Sequence, residues 1–208
     1  MALYLYMAII EEVKRNKKSY TIVVDGCTLK GCNVEVCYKH GIKVGEMPND
    51  KYRAFLAENE KVNAKTYLYS MIARKARTEK EAKLKLKEKG YSHEAISYAI
   101  AKAQEYGFLS DEDFAKNYVE ISSRNKGSYR LKQELKQKGV SDELISEALI
   151  EIDEDAERKQ AEELAMRFLK GKAIDDKTRE KLFRYLVSRG YGYDIIKGIL
   201  RKIGAEID

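Results

Sequence analysis

The sequence predicts a mainly α-helical protein, an elongated array of three tandem three-helix repeats preceded by a small N-terminal β-hairpin segment. Three observations predict this fold class. The 208 residues contain a single proline, Pro48, so no proline interrupts the helices that follow it. A β-rich run followed by Asp25-Gly26 lies near the start. A glycine-centred pattern recurs about every fifty residues, which is typical of repeat architectures.

Residues 1–48 form the predicted β-rich segment. The run Ser-Tyr-Thr-Ile-Val-Val at residues 19–24 has the β-branched and aromatic composition of a strand. Asp25-Gly26 follows it, and these two residue types readily take the positive φ that a tight hairpin turn requires. Two glycines and Pro48 then break the chain. The acidic, helix-prone residues 49–61 are predicted to form a helical connector.

The repeat is centred on Gly90, Gly139 and Gly190, which are separated by offsets of 49 and 51 residues. Apolar residues keep fixed distances from each glycine, at eight before, six after and ten after: Ala82, Leu131 and Leu182; Ile96, Ile145 and Ile196; Ile100, Leu149 and Leu200. This spacing predicts one helix that ends at each glycine and another that begins after it. We therefore predict three-helix repeats at residues 62–108, 109–152 and 153–208.

Capping residues define the helices within each repeat. Ser92 and Ser141 follow their glycines by two residues and Ser110 precedes three acidic residues, so each is a predicted N-cap. Thr78 and Glu81 have the spacing of a capping box. The predicted helices span residues 62–76, 78–89 and 92–106; 110–125, 128–138 and 141–152; and 154–170, 176–189 and 192–203.

Charge is segregated along the chain, whose formal net charge is +6. Residues 74–89, 124–138 and 167–189 each carry a net +5, whereas residues 142–163 carry a net −8. In the first two basic segments, lysines follow the buried-face residues by one position and therefore form a cationic edge on the helix. This edge is either a solvated face or a surface for a polyanion. The acidic block would be repelled by nucleic acid and therefore argues against a protein that merely coats it. The block indicates a second contact, with a protein surface of basic or mixed charge.

Composition excludes several classes of protein. No apolar run approaches the roughly 18–20 residues that span a bilayer, and the start lacks the features of a signal peptide. Three clustered cysteines suit a reducing compartment better than a disulfide framework. We therefore expect a cytoplasmic protein with no membrane contact.

Candidate sites for metal or catalysis are weak. Cys27, Cys32, Cys37 and His40 are four potential zinc ligands, but their spacing is looser than in paired-ligand motifs. No nucleophilic triad or glycine-rich phosphate loop is present. Asp111 lies in a predicted first helical turn, where a carboxylate caps backbone amides. We predict no metal, no cofactor and no enzymatic activity.

Several strings resemble RecX regulatory proteins along nearly the whole chain. They are the hairpin at residues 20–26, Tyr-Lys-His-Gly-Ile at 38–42, Lys-Ala-Arg-Thr-Glu-Lys-Glu at 75–81, Gly-Phe-Leu-Ser-Asp-Glu-Asp-Phe-Ala at 107–115, Lys-Gly at 126–127, Glu-Leu-Lys-Gln-Lys-Gly-Val at 134–140 and Arg-Gly-Tyr at 189–191. The middle repeat carries the strongest resemblance. The cysteine-rich residues 27–32 depart from the family's pattern.

The resemblance implies a bacterial modulator of the RecA recombinase. Such a protein binds RecA and its filament on single-stranded DNA and inhibits or modulates recombination, ATP hydrolysis and SOS-related activities. We expect a monomer whose partners are RecA, its filament and single-stranded DNA. Binding to duplex DNA stays an open alternative.

Within this hypothesis, candidate contacts to phosphates or an acidic surface are the basic residues Lys75, Arg77, Lys83, Lys87, Arg124, Lys126, Arg130, Lys132, Lys136, Arg184 and Arg189. Tyr129, beside Arg130, either stacks on a base or packs inward. Three alternatives stay open. They are an autonomous DNA-binding helical repeat protein that acts without RecA, a protein scaffold with no nucleic-acid role, and, last in rank, an enzyme.

Overall fold

The structure is a computed structural model that describes residues 7–150 and 152–205. Its elements, in chain order, are β1 (Met7–Arg15), β2 (Tyr20–Val24), β3 (Cys27–Cys32), α1 (Val34–Lys39), β4 (Gly45–Pro48), α2 (Asn49–Ile72), α3 (Glu79–Glu88), α4 (His93–Glu105), α5 (Asp111–Ser122), α6 (Ser128–Lys138), α7 (Asp142–Ile150), α8 (Glu154–Leu169), α9 (Asp176–Arg189) and α10 (Tyr193–Ala205). No helix in these described ranges is long and apolar enough to span a membrane.

The chain forms two compact units. Unit 1 is the chain up to Ala76 together with Ala82–Leu109, and unit 2 is Arg77–Glu81 together with the chain from Ser110 onward. The first turn of α3 therefore belongs to unit 2, and the rest of α3 belongs to unit 1.

Unit 1 begins with a four-stranded antiparallel sheet in the order β3-β2-β1-β4. Asp25 and Gly26 have φ values of 49° and 77°, so the predicted turn between β2 and β3 is confirmed. The sheet is larger than the predicted hairpin because β1 and β4 pair with each other, placing Ala8 opposite Met47. That pairing joins residues far apart in sequence, which a local strand pattern does not reveal.

The long helix α2 serves two hydrophobic cores of unit 1. Phe55, in its first half, is fully buried among the sheet residues. Leu68, in its second half, is fully buried with residues of α3 and α4 such as Leu86 and Ile100. The predicted boundary at residue 61 falls inside this helix, because residues 49–72 contain no glycine or proline to end it. The connector and the first helix of the first repeat are thus one helix.

Unit 2 contains two three-helix groups, α5–α7 and α8–α10, each with its own core. Leu131 and Ile145 are fully buried in the first core, and Leu182 and Ile196 are fully buried in the second. These are positions at which the fifty-residue period placed apolar residues. The predicted mainly α-helical fold with a small N-terminal sheet is therefore confirmed.

The predicted caps are also present. The hydroxyl oxygens of Ser92, Ser110 and Ser141 accept the N–H groups of residues 95, 113 and 144, respectively. At the predicted capping box, Thr78 Oγ1 accepts the Glu81 N–H at 3.2 Å.

In unit 2, the C-terminal end of α9 lies against the N-terminal end of α6. The Gly127 N–H donates to the Arg189 carbonyl at 2.9 Å, and the Tyr129 N–H donates to the Gly190 carbonyl at 3.2 Å. Arg130 Nη1 donates to the Ser188 carbonyl at 2.8 Å. The free amides of one helix start thus pair with the free carbonyls of another helix end, and the two helix dipoles are complementary there.

A related contact joins the end of α6 to the first turn of α3, also within unit 2. Thr78 Oγ1 donates to the Lys138 carbonyl at 2.6 Å, and Lys80 Nζ donates to the Gln137 carbonyl at 3.2 Å. Gly139 has a φ of 91° and lies directly against the Lys80 side chain. The two contacts use corresponding places in successive repeats.

We predict that Gly190→Ala destabilises the protein more than Gly171→Ala. Both glycines have positive φ, 85° and 75°, so alanine costs about 1–2 kcal/mol at either position. An added Cβ at Gly190 would lie 2.4 Å from the Arg130 backbone nitrogen, whereas Gly171 faces open space. We expect Gly190→Ala to cost about 1–3 kcal/mol more in urea unfolding followed by circular dichroism. Equal losses for the two variants would show that the close contact is not required.

Candidate nucleic-acid interface

Helix α6 presents a pair of exposed lysines. Leu131 and Leu135 are fully buried, which fixes the rotation of the helix about its axis and turns Lys132 and Lys136 towards solvent. Lys136 Nζ lies 2.7 Å from Asp142 Oδ1, but both side chains are about half exposed or more. Such a pair contributes only about 0–1 kcal/mol, so a stronger anion can displace it. Lys132 makes no ion pair within the part of the chain that the structure describes.

The same arrangement occurs on α3. Ala82 and Leu86 are fully buried, and Lys83 and Lys87, one residue further on, are exposed. Each of these helices therefore carries a lysine row, which we define as Lys83 with Lys87 on α3 and Lys132 with Lys136 on α6.

The predicted contacts just before α3 differ in exposure. Lys75 is exposed in unit 1, whereas Arg77 is half-buried in unit 2. Lys75 therefore resembles the lysine rows in its access to solvent, and Arg77 has less of its side chain available to a ligand.

Two of the predicted contacts in the middle repeat are held by an internal acid. Lys126 Nζ lies 2.5 Å from Glu134 Oε2 and 3.1 Å from the Tyr118 hydroxyl, which itself donates to Glu134 at 2.6 Å. Arg130 Nε lies 3.0 Å from Glu134 Oε1. The charges of Lys126 and Arg130 are thus partly neutralised within the fold. Glu134 was not among the predicted site residues, although its position four residues after Arg130 on a helix is a signal for an ion pair.

Electrostatics keeps this network charged. Burial of the Glu134 carboxyl opposes its ionisation, but hydrogen bonds from Lys126, Tyr118 and Arg130 outweigh burial and lower its pKa to about 2. Burial likewise disfavours the charged form of Lys126, but its hydrogen bonds to Glu134 and Tyr118 raise its pKa overall. At neutral pH the network therefore holds one carboxylate and two cations.

The two predicted contacts in α9 also differ from each other. Arg184 is exposed and pairs with Glu180 at 2.8 Å, one helical turn away. Arg189 is half-buried, and its guanidinium carbon lies 5.1 Å from the centre of the Tyr185 ring. Arg184 is therefore the more accessible cation.

Arg124 lies in a basic groove of unit 2 whose other cations were not among the predicted contacts. The groove has a volume of about 500 Å³ and brings Arg124 together with Lys159 and Arg167 of α8. One acid, Glu163, also lines it. Lys159 was not predicted because it stands within the acidic block, whose net charge of −8 hides its two cations, Arg158 and Lys159.

A second cleft of unit 2, which we call the tyrosine cleft, lies between α6 and the turn from α9 to α10. It has a volume of about 610 Å³, and its lining includes Tyr129, Gln133, Gln137, Val187, Ser188 and Tyr193. The Tyr129 side chain is 66% exposed, so it is not a core residue. Its ring is accessible to a ligand and is not packed inward.

The remaining polar candidates have local structural roles. Cys32 and Cys37 are buried in the core beneath the sheet, and Cys27 is exposed. Burial, followed by the neighbouring Cys37 thiol, raises the pKa of Cys32 to about 11. His40 Nε2 lies 2.8 Å from a Glu58 carboxylate oxygen. Among the described residues, no group of three or more His, Cys, Asp or Glu side chains could hold a metal ion.

Asp111 caps the start of a neighbouring helix, α3, as well as lying in the first turn of α5. Its Oδ1 accepts the N–H of Glu79, the first residue of α3, at 2.8 Å. Asp111 also lies in the predicted first turn of its own helix, α5, where Ser110 is the N-cap. The sequence does not signal the contact with α3, because it joins residues 32 positions apart.

Known protein families and solved structures share this architecture. A family model described as the first three-helix domain of RecX matches residues 64–102, and one described as the second three-helix domain matches residues 110–149. The regulatory protein RecX of Clostridium botulinum strain Eklund 17B is 36% identical over 198 residues, which cover 93% of each chain. The chain belongs to the RecX family.

Other RecX proteins support this membership. The regulatory protein RecX of Clostridium perfringens strain SM101 is 34% identical over 199 residues, covering 93% of this chain and 94% of its own. A crystal structure of regulatory protein RecX has a TM-score of 0.70 at 21% identity and covers 92% of this chain and 98% of its own. RecX from Lactobacillus salivarius has a TM-score of 0.65 at 23% identity, covering 71% and 99%. These structures share the fold, and the predicted resemblance to RecX is confirmed.

We predict that the Glu134 network makes stability depend on pH. Because its folded-state pKa is lowered to about 2 from 4.5, Glu134 stabilises the fold fully above about pH 4.5 and loses this effect as the pH falls towards 2. Glu134→Gln should therefore lower the free energy of unfolding by about 1–3 kcal/mol at pH 7 and by progressively less below pH 4.5. Urea unfolding measured between pH 2 and 7 tests this.

The control is Glu120→Gln, which removes an exposed carboxylate from α5 in the same unit. We expect its effect on stability to stay within about 0.5 kcal/mol at every pH. A loss for Glu134→Gln that is the same at pH 2.5 and pH 7 would contradict the proposed charge network.

Proposed function

We propose that this protein binds the RecA recombinase and its filament on single-stranded DNA and inhibits or modulates recombination, ATP hydrolysis and SOS-related activities. It acts in the cytoplasm as a monomeric regulator and not as an enzyme. Membership of the RecX family is the observation that carries the proposal. The lysine rows on α3 and α6 support it by supplying an anion-binding surface in two successive repeats.

The lysine rows suit contact with a polyanion. Lys132 and Lys136 are one helical turn apart, so their ammonium groups approach a ligand about 6 Å from each other along the helix. Exposed lysines act as point charges that bind phosphates or carboxylates without fixed geometry. The α3 row offers the same spacing. We propose that these rows contact DNA phosphates or acidic RecA surfaces in the filament, which blocks strand exchange or destabilises filament ends.

A second surface accompanies the basic one. Asp153, Glu154 and Asp155 are exposed at the start of α8, where Asp153 also caps the helix by accepting the Asp155 N–H. Capping accounts for one of these acids, and the others add negative charge to the surface. DNA phosphates would be repelled there, so this segment favours a protein partner with basic or mixed charge. A regulator that contacts both RecA and DNA needs both kinds of surface.

One observation favours a second function, an autonomous DNA-binding repeat protein that acts without RecA. The groove of Arg124, Lys159 and Arg167 concentrates three cations on unit 2. Such a groove can bind phosphates without any other protein. Tight binding to naked duplex DNA, with a steep dependence on salt concentration, would support this function.

We predict that the double variant Lys132→Glu/Lys136→Glu inhibits RecA less well than the unaltered protein. The measurement is DNA-dependent ATP hydrolysis by RecA on single-stranded DNA as this protein is titrated in, with its binding to the same DNA measured without RecA. We expect inhibition well below the concentration that coats the DNA. Reversing two exposed charges should raise the half-inhibitory concentration by about tenfold, which corresponds to about 1.4 kcal/mol.

The matched control is Lys17→Glu/Lys18→Glu, which makes the same change in net charge at two exposed lysines in the turn between β1 and β2. It should leave inhibition within about twofold. Inhibition that begins only when the DNA is already coated would favour the autonomous DNA-binding function. A protein that affects neither RecA nor DNA would instead favour the scaffold.

A further inference from the structure

We propose that the tyrosine cleft binds an unstacked base of single-stranded nucleic acid against Tyr129 and Tyr193. This inference rests on the proposed contact with single-stranded DNA and adds to it a site that recognises bases in addition to phosphates. Its consequence is a preference for single strands, because the bases of a duplex are stacked on each other and are not free to enter a cleft.

The first observation is the exposure of two aromatic rings in one cleft. The side chains of Tyr129 and Tyr193 are 66% and 64% exposed, and both line the cleft between α6 and the start of α10. Aromatic rings gain much of their binding energy from burial, and a planar base covers a ring without needing a matching shape. Two accessible rings in one cleft are therefore suited to a flat, aromatic ligand.

The backbone of Tyr129 and the ring of Tyr193 are both held in place before any ligand binds. The main-chain N–H of Tyr129 donates to the Gly190 carbonyl, which anchors the residue to the close contact between α6 and α9. The Tyr193 ring packs edge-to-face against Phe183, with 6.4 Å between ring centres. Binding then costs less conformational entropy than it would with rings on a loose segment.

The wall contributed by α6 also carries hydrogen-bonding groups. Gln133 and Gln137 are exposed and follow Tyr129 by one and two helical turns, so all three lie along the same side of the helix. A carboxamide offers both a donor and an acceptor, which matches the edges of nucleobases. These groups can hold a base whose ring stacks on the tyrosines.

The charges around the cleft suit a nucleic-acid strand. Arg130 lines the cleft, and the exposed Lys132 and Lys136 each precede a cleft glutamine by one residue and are turned about 100° away from it around α6. On α10, Lys197 Nζ lies 6.0 Å from the centre of the Tyr193 ring. The one acid in the lining, Glu134, is already paired with Lys126 and Arg130. Aromatic rings with cations near them are the combination that binds single strands.

The test compares two strands with equal charge. The full-length protein is titrated against a labelled oligo-dT and against an oligonucleotide of the same length built from abasic deoxyribose phosphates, with binding measured by fluorescence anisotropy. We expect oligo-dT to bind at least about fivefold more tightly. Tyr129→Ala and Tyr193→Ala should each weaken oligo-dT binding by at least about fivefold and change binding to the abasic strand by less than about twofold.

Two further measurements separate stacking from a merely structural effect. Tyr129→Phe keeps the ring and should keep the affinity for oligo-dT within about twofold. The dependence of affinity on salt concentration should have the same slope in the alanine variants as in the unaltered protein, because no phosphate contact is removed. The matched control is Tyr106→Ala, which removes a tyrosine of similar exposure, 58%, from unit 1.

Three results would overturn the proposal. The first is equal affinity of the unaltered protein for the two strands. The second is an equal loss of affinity for both strands in the alanine variants. The third is a loss of RecA inhibition in those variants with oligo-dT binding unchanged, which would show that the cleft takes a peptide. RecA inhibition by the unaltered protein is measured separately. If the protein inhibits RecA but binds both strands equally, only this inference fails. If the protein does not inhibit RecA but still binds oligo-dT more tightly than the abasic strand, only the RecA role fails.

Discussion

The close approach of two helix ends is the constraint on which much of unit 2 depends. A Cβ added at Gly127 would lie 2.3 Å from the Gly190 carbonyl oxygen, so the two backbones meet without any side chain between them. The Gly127 N–H can therefore reach the Arg189 carbonyl at the end of α9. This contact fixes where α6 starts relative to α9 and α10, and with it the positions of Tyr129 and Arg130. The tyrosine cleft exists because these helices meet at their ends rather than along their sides.

The corresponding contact between α6 and the start of α3 has the same plan but different chemistry. The Thr78 hydroxyl donates to the Lys138 carbonyl, where a backbone N–H serves in the other contact. The groups that would meet a Cβ at Gly139 are the methylenes of Lys80, which can move, rather than backbone atoms. Lys138 is further held by Glu81 at 2.8 Å. Both contacts thus place the end of one helix against the start of another. The groups that form the hydrogen bonds differ between the two.

In the basic segment 124–138, the position of a cation decides whether its charge is paired within the fold or exposed to solvent. Lys126 and Lys138 each form an ion pair with a partly buried glutamate inside the fold. Lys132 and Lys136, on the same basic segment, lie where the helix meets solvent. The net charge of that segment therefore overstates what is available to a partner. The exposed cations of α6 form a narrow row of lysines, and the groove of Arg124, Lys159 and Arg167 is a separate basic surface.

The sequence alone determined most helices of the repeats, several of their caps and their buried faces, because these depend on neighbours within a few residues. The spacing of Leu131 and Leu135, the turn at Gly139 and the caps at Ser92 and Ser110 all act over one or two helical turns. Tertiary structure alone decided the pairing of β1 with β4, the capping of α3 by Asp111, the internal role of Lys126 and the meeting of Tyr129 with Tyr193. Each of these joins residues that are eight to more than sixty positions apart or lie on different helices. The local pattern specifies which face of a helix is buried, whereas contacts between elements depend on how their ends and faces fit together in space.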